Sequence, residues 1–133
     1  MSTLHLLFPW TQYTIAAYGD DQAHCEVDAF LLDRSRLSAA ADKAFRELFI
    51  WHGNHGQIRN NEKCNYLGDR IFEYKAPGGG RIAWFYDESF LVICACGVVK
   101  KKQKANPGFI TKAAAIREKY FEEKKRGEIH RLF

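Results

Sequence analysis

No apolar run in the chain approaches the ~20 residues that a membrane-spanning helix needs; the longest, FLVICACGVV, covers only residues 90–99. Residues 4–10 (LHLLFPW) are too short for a secretory leader and lack its basic flank. A cytoplasmic protein is therefore expected. There is no C-x-x-C, and the four cysteines are Cys25, Cys64, Cys94 and Cys96. The last two alternate on one strand and are expected to share a face, roughly 7 Å apart. No second pair stands at ligand spacing to complete a zinc site. The expectation is free buried thiols in a reducing compartment, with no metal and no cofactor. His52 and His55, in WHGNH, have H-x-x-H spacing, but Gly53 argues against a helical ligand pair, and an exposed pair is expected. Internal repeats and low-complexity segments are also absent.

What is present is enough for one domain. The 133 residues are 47% hydrophobic and 14% aromatic, which excludes disorder. Residues 12–18 (QYTIAAY) read as a strand stopped by Gly19-Asp20-Asp21. Residues 27–32 suggest a short helix. From Ser35, apolar positions at Leu37, Ala41, Ala44, Phe45, Leu48 and Trp51 predict an amphipathic helix capped by Ser35 and stopped by Gly53. Three strands follow over 70–75, 81–86 and 90–99, joined by connections that allow only hairpins. Asn106-Pro107 then opens a helix striped by Phe109, Ala113, Ile116 and Tyr120, which Gly127 ends. The predicted fold is α+β, with a small antiparallel sheet in the order β-α-α-β-β-β-α and the helices packed on it. Residues 1–11 and 127–133 read as extensions of a single domain.

The net charge of +4 is modest, but its distribution is uneven: lysine fills four of the five positions from 100 to 104. In an antiparallel meander the end of the first strand, the start of the second and the end of the third lie at one edge. Lys75, Arg81, Lys100 and Lys101 should therefore converge. Such a cationic edge can grip the phosphates of a bent backbone, with a log–log salt slope of roughly −2 to −3 for a single strand. The bland alternative is a solvated lysine loop, with Arg81 simply pairing with Glu73.

The segments IFEYK (71–75), GRIAWFY (80–86) and CGVVKKKQKANP (96–107) resemble the C-terminal half of the RelE/HigB superfamily of bacterial toxins, in particular its phage-derived HigB-like branch. The likeness spans about residues 26–122. Its specific part is glycine, two apolar residues, lysines, glutamine, lysine and then proline. The resemblance implies a toxin of a type II toxin–antitoxin system, a metal-independent endoribonuclease that cleaves messenger RNA in the ribosomal A site. It also implies a cognate antitoxin, in this branch usually a HigA-like helix-turn-helix protein. Carried over by position, the catalytic cations are Lys75, Arg81, Lys100 and Lys101. Lys102, Lys104 and Arg70 are expected RNA contacts, and Tyr74 is either a stacking or proton-donating ring or, as the simpler role, part of the core. Two departures stand out: Lys75 replaces a common arginine, exchanging a bidentate fork for a point charge, and Cys96 stands where histidine is common. The alternatives are a ParE-like gyrase poison and a non-catalytic phage-derived member that only binds RNA or protein.

Overall fold

β6 (Leu91–Val99) is the strand around which the chain is arranged, and its first six residues are buried. Near-continuous apolar sequence of this kind suits a strand covered on both faces. In the computed structural model the described residues are 1–9, 12–20, 22–88, 90–100 and 107–133. β6 pairs antiparallel with β5 (Gly80–Asp87) and parallel with β2 (Thr14–Gly19). β5 pairs antiparallel with β4 (Ile71–Lys75), and β4 with β3 (Cys64–Gly68). On the other side of β2 come β1 (Ser2–Phe8), antiparallel to it, and then β7 (Ile129–Arg131), parallel to β1. The order is β3-β4-β5-β6-β2-β1-β7.

The architecture is α+β with three helices, as expected, but the sheet is larger and mixed. Residues 2–8, expected as an extension, form an internal strand whose Leu4 is fully buried, and the tail closes the sheet's edge as β7. β3 lies in a stretch that had no assignment. The β4–β6 meander has the expected connectivity.

α1 (Glu26–Leu32) and α2 (Ala39–His55) cover one face, where Phe30, Phe45 and Phe49 pack on Ile82, Trp84, Val92 and Cys94. α3 (Pro107–Lys125) covers the other, where Phe109, Ala113 and Tyr120 pack on Ala83, Phe85, Ile93 and Cys96. α2 starts later than predicted. Ser38, not Ser35, caps it by accepting from the Ala41 N–H (3.0 Å), while Ser35 is held in the preceding turn by Asp33. The helix runs through Gly53 and ends at Gly56. Trp51, read as part of the apolar stripe, is 46% exposed. Among the described residues no helix is long and apolar enough to cross a membrane.

One irregularity overturns a cysteine expectation. Ala83 pairs with Cys96 but Trp84 with Cys94, so Ala95 is one residue too many for the ladder. Such a bulge reverses the facing of everything beyond it. Cys94 therefore joins the α1/α2 core and Cys96 the α3 core, on opposite faces of the sheet. All four cysteines are free and buried.

A candidate nucleic-acid interface

Strand register places the cations. Lys75 pairs across from Arg81, Arg81 from Val98, and Gly80 from Val99. The Lys100 N–H then donates to the Gly79 carbonyl at 2.8 Å. The connection from Ala76 to Gly79 turns through Gly78 and Gly79, with φ of 85° and 90°. A Cβ on Gly79 would stand 2.2 Å from the Lys100 oxygen, so this clasp requires glycine twice over, by dihedral and by space. Lys75, Arg81 and Lys100 thus lie at one end of three adjacent strands. Lys101, Lys102 and Lys104 lie outside the described residues.

Two expected RNA contacts do not join them. Arg70 precedes β4 and therefore stands at the opposite end of that strand from Lys75. It borders a separate hollow with Arg117, Glu118 and Glu122 of α3. Tyr74 alternates with Lys75, so it points to the α1/α2 face, where it is fully buried. A ring with no exposed surface cannot stack on a base, and its hydroxyl is committed to His52 Nδ1 at 2.7 Å.

His52 also departs from expectation, being fully buried rather than exposed. Its Nε2 meets the Tyr86 hydroxyl at 3.0 Å, and its ring packs edge-on against Trp84, with centroids 5.0 Å apart. Burial pulls its pKa down to about 4. It is a neutral core residue and not a general acid. His55 is exposed and leans on Trp51, the ring centroids 5.1 Å apart.

Beside the cations lies a groove of about 1100 Å³ between α2 and the β3–β5 end of the sheet. Lys75 and Arg81 border it together with Trp51, Arg59, Glu62 and Lys63. Sequence reading missed Arg59 and Lys63 because it missed β3. Lys63 leads into that strand, and its carbonyl accepts from the Lys75 N–H at 2.9 Å. Trp51 was missed for the opposite reason, since helical periodicity assigned it to the core. The Lys75 ammonium donates to the Asn61 carbonyl at 3.0 Å, which fixes the charge at the groove wall. The groove is thus bordered by four cations, two carboxylates (Glu47 and Glu62) and one half-exposed indole, a mixture in which the cations can meet phosphate and the indole a base.

Arg81 is also structural. Its Nη1 donates to the Gly80 carbonyl at 2.9 Å, and its Nε stands 3.6 Å from a carboxylate oxygen of Glu73, which is only 3% exposed. Removing the guanidinium strands a buried carboxylate. Arg81→Ala is expected to destabilise the protein by about 2 kcal/mol, and adding Glu73→Gln should recover most of that loss. Urea midpoints of the single and double variants decide the matter, and equal values would mean that the pair is uncoupled.

Among the described residues, metal-ligating side chains do not gather in the groove. They gather elsewhere, where His5, Cys25 and Asp28 meet. Compared with protein-family models and with curated proteins, the chain matches none.

Proposed function

We propose that the chain binds single-stranded RNA along the Lys75–Arg81–Lys100 edge and cleaves it without metal, as a toxin acting on ribosome-bound messenger RNA. The observation that carries this reading is the cross-strand register of Lys75 with Arg81 at the lip of a groove that Trp51, Arg59 and Lys63 complete. The likeness of residues 26–122 to the RelE/HigB toxins supplies the ribosomal substrate and a helix-turn-helix antitoxin as partner.

In this chemistry the ribose 2′ oxygen forms a bond to the adjacent phosphorus as its proton leaves. The bond to the 5′ oxygen breaks, that oxygen takes up a proton, and the products are a cyclic phosphate and a 5′-hydroxyl. Negative charge grows on the non-bridging oxygens. Cations from Lys75, Arg81 and Lys100 offset it, the first two held by their own hydrogen bonds, and such electrostatic stabilisation is usually the largest catalytic contribution.

A second reading is favoured by one fact: among the described residues no histidine lines the groove. A chain of this shape can bind RNA without cutting it. The test uses Lys75→Ala/Lys100→Ala, which spares the Arg81–Glu73 pair. The parent chain should cut messenger RNA on programmed ribosomes, leaving 5′-hydroxyl ends. The double variant should cut about 100-fold more slowly with an unchanged melting temperature. Intact RNA with salt-dependent binding by the parent would replace the nuclease reading with a binding module. Gyrase-linked DNA breaks in expressing cells would replace it with a ParE-like poison.

A further inference from the structure

His5, Cys25 and Asp28 come from β1, from the residue before α1 and from the first turn of α1. One donor atom from each lies within 4.8 Å of the other two. The His5 Nδ1 stands 3.9 Å from an Asp28 carboxylate oxygen, too far for a hydrogen bond.

The imidazole is anchored through its other nitrogen, which lies 3.0 Å from Thr3 Oγ1. Thr3 Oγ1 donates its single proton to the Asp20 carbonyl at 3.2 Å, so it accepts from His5 Nε2–H at 3.0 Å. His5 Nδ1 is then the ring nitrogen on the side of the Cys25 sulfur and the Asp28 carboxylate. Three potential ligand atoms gather there; the Cys25 thiol hydrogen-bonds the Asp28 carboxylate, and a bound cation would take the place of the thiol proton. A bond from the far ring nitrogen to a fixed oxygen is also the usual way a metal-binding histidine is oriented.

The backbone makes room for this arrangement. Gly19 bridges to Cys25 across a short antiparallel contact and pairs with Thr3 of β1. A Cβ there would lie 2.4 Å from both His5 Nε2 and Thr3 Oγ1, so any larger residue would evict the imidazole from its place. Cys25 is 6% exposed, whereas the Asp28 side chain is 43% exposed. The cluster is therefore closed on its sulfur side and open to solvent on its carboxylate side.

We propose that His5 Nδ1, Cys25 Sγ and an Asp28 carboxylate oxygen form a binding site for a zinc-class divalent transition metal, with water in the fourth position. Bonds of about 2.0–2.3 Å place tetrahedral ligand atoms roughly 3.3–3.6 Å apart. The present spread of up to 4.8 Å is wider than that, so the donor atoms would draw together on binding. Thiolate and imidazole select zinc, cobalt or a similar ion over magnesium or calcium, which prefer all-oxygen sites. The bound ion would fasten α1 to β1, on the β1–β2 side of the sheet and outside the RNA groove. No ligand spacing in the sequence marks it, because residues 5, 25 and 28 meet only through the β1–β2 pairing.

The full chain, tag-free and stripped with chelator, is titrated with Co²⁺ and then with Zn²⁺. Co²⁺ should saturate at one equivalent with a thiolate-to-cobalt charge-transfer band in the near ultraviolet, and Zn²⁺ should displace it. Cys25→Ser should abolish the band. His5→Gln and Asp28→Asn should each weaken Co²⁺ affinity at least tenfold while leaving the circular dichroism unchanged. Absence of saturable binding would overturn the site, as would a band that persists in Cys25→Ser or affinity unaltered in His5→Gln. If Cys25→Ser does not fold, the two remaining variants decide, because neither side chain is in the core.

Discussion

Replacing His52 with alanine should destabilise the protein by about 4 kcal/mol, combining a core cavity with a stranded hydroxyl. Tyr74 is fully exposed to this loss because its buried hydroxyl is bonded to His52 Nδ1. Tyr86, half-buried, can turn to water. A double-mutant cycle isolates the bond: in a Tyr74→Phe background the same substitution should cost about 1–2 kcal/mol less. Strict additivity would show that the imidazole matters only as volume.

The same residue sets an acid response with a definite sign. Burial pulls the folded pKa down from 6.5 to about 4, so the native state refuses a proton that the unfolded chain accepts. The stability this group contributes is fully present above about pH 6.5 and is lost as pH falls toward 4, by about 3 kcal/mol in all. Below that the contribution is flat. Denaturant unfolding of parent and His52→Ala at pH 7, 5.5 and 4.5 reads it as a difference, which removes the shared response of the carboxylates. A stability gap between the two proteins that does not narrow on acidification would refute the neutral-histidine assignment.

Asp87→Ala should cost about 3 kcal/mol, the second large effect. Asp87 ends β5 at 2% exposure and accepts from the Tyr120 hydroxyl and from Lys124 Nζ at 2.8 and 3.0 Å. Without it, the buried Tyr120 hydroxyl loses its acceptor, whereas the half-exposed Lys124 still has Glu88 at 2.7 Å. The loss therefore falls on the tyrosine and on the docking of α3. Asp87→Asn should be milder, because an amide oxygen can still accept from Tyr120. Urea unfolding together with proteolysis of α3 measures both, and a loss under 1 kcal/mol for the alanine variant would show that α3 is held by its apolar stripe alone.

What the sequence made legible was local. The β4–β6 meander could be read because its connections are short, and that register alone brings Lys75, Arg81 and Lys100 together. The helical stripe of α3 was legible from Phe109, Ala113 and Tyr120 for the same reason. β3 and β7 were not, because edge strands are held largely by backbone hydrogen bonds, which leave little mark on side-chain pattern; β1, internal to the sheet, owes its place partly to pairing with the chain's far end. The parallel pairing of β2 with β6 is invisible to any hairpin argument. The bulge at Ala95 shifted side-chain parity by one residue and separated Cys94 from Cys96. At the site, Trp51 shows that a helical period marks a face without saying how far the core extends along it. His52 found its partners 22 and 34 positions away, a separation at which sequence carries no spacing signal.

The parallel contact between β2 and β6 also governs when the sheet can close during synthesis. The β1–β2 hairpin leaves the ribosome early, yet Thr14 cannot meet its neighbour until translation has reached Leu91. Until then the hairpin presents an unpaired strand edge, and Ile15 and Ala17 have no β6 to pack beside. β7 arrives later still, as Ile129 aligns with Ser2. Joining contacts so distant along the chain makes folding slow and leaves unpaired edges open to association. The β1–β2 hairpin therefore waits through the synthesis of α1, α2 and β3 to β5 before β6 can join it to the rest of the sheet.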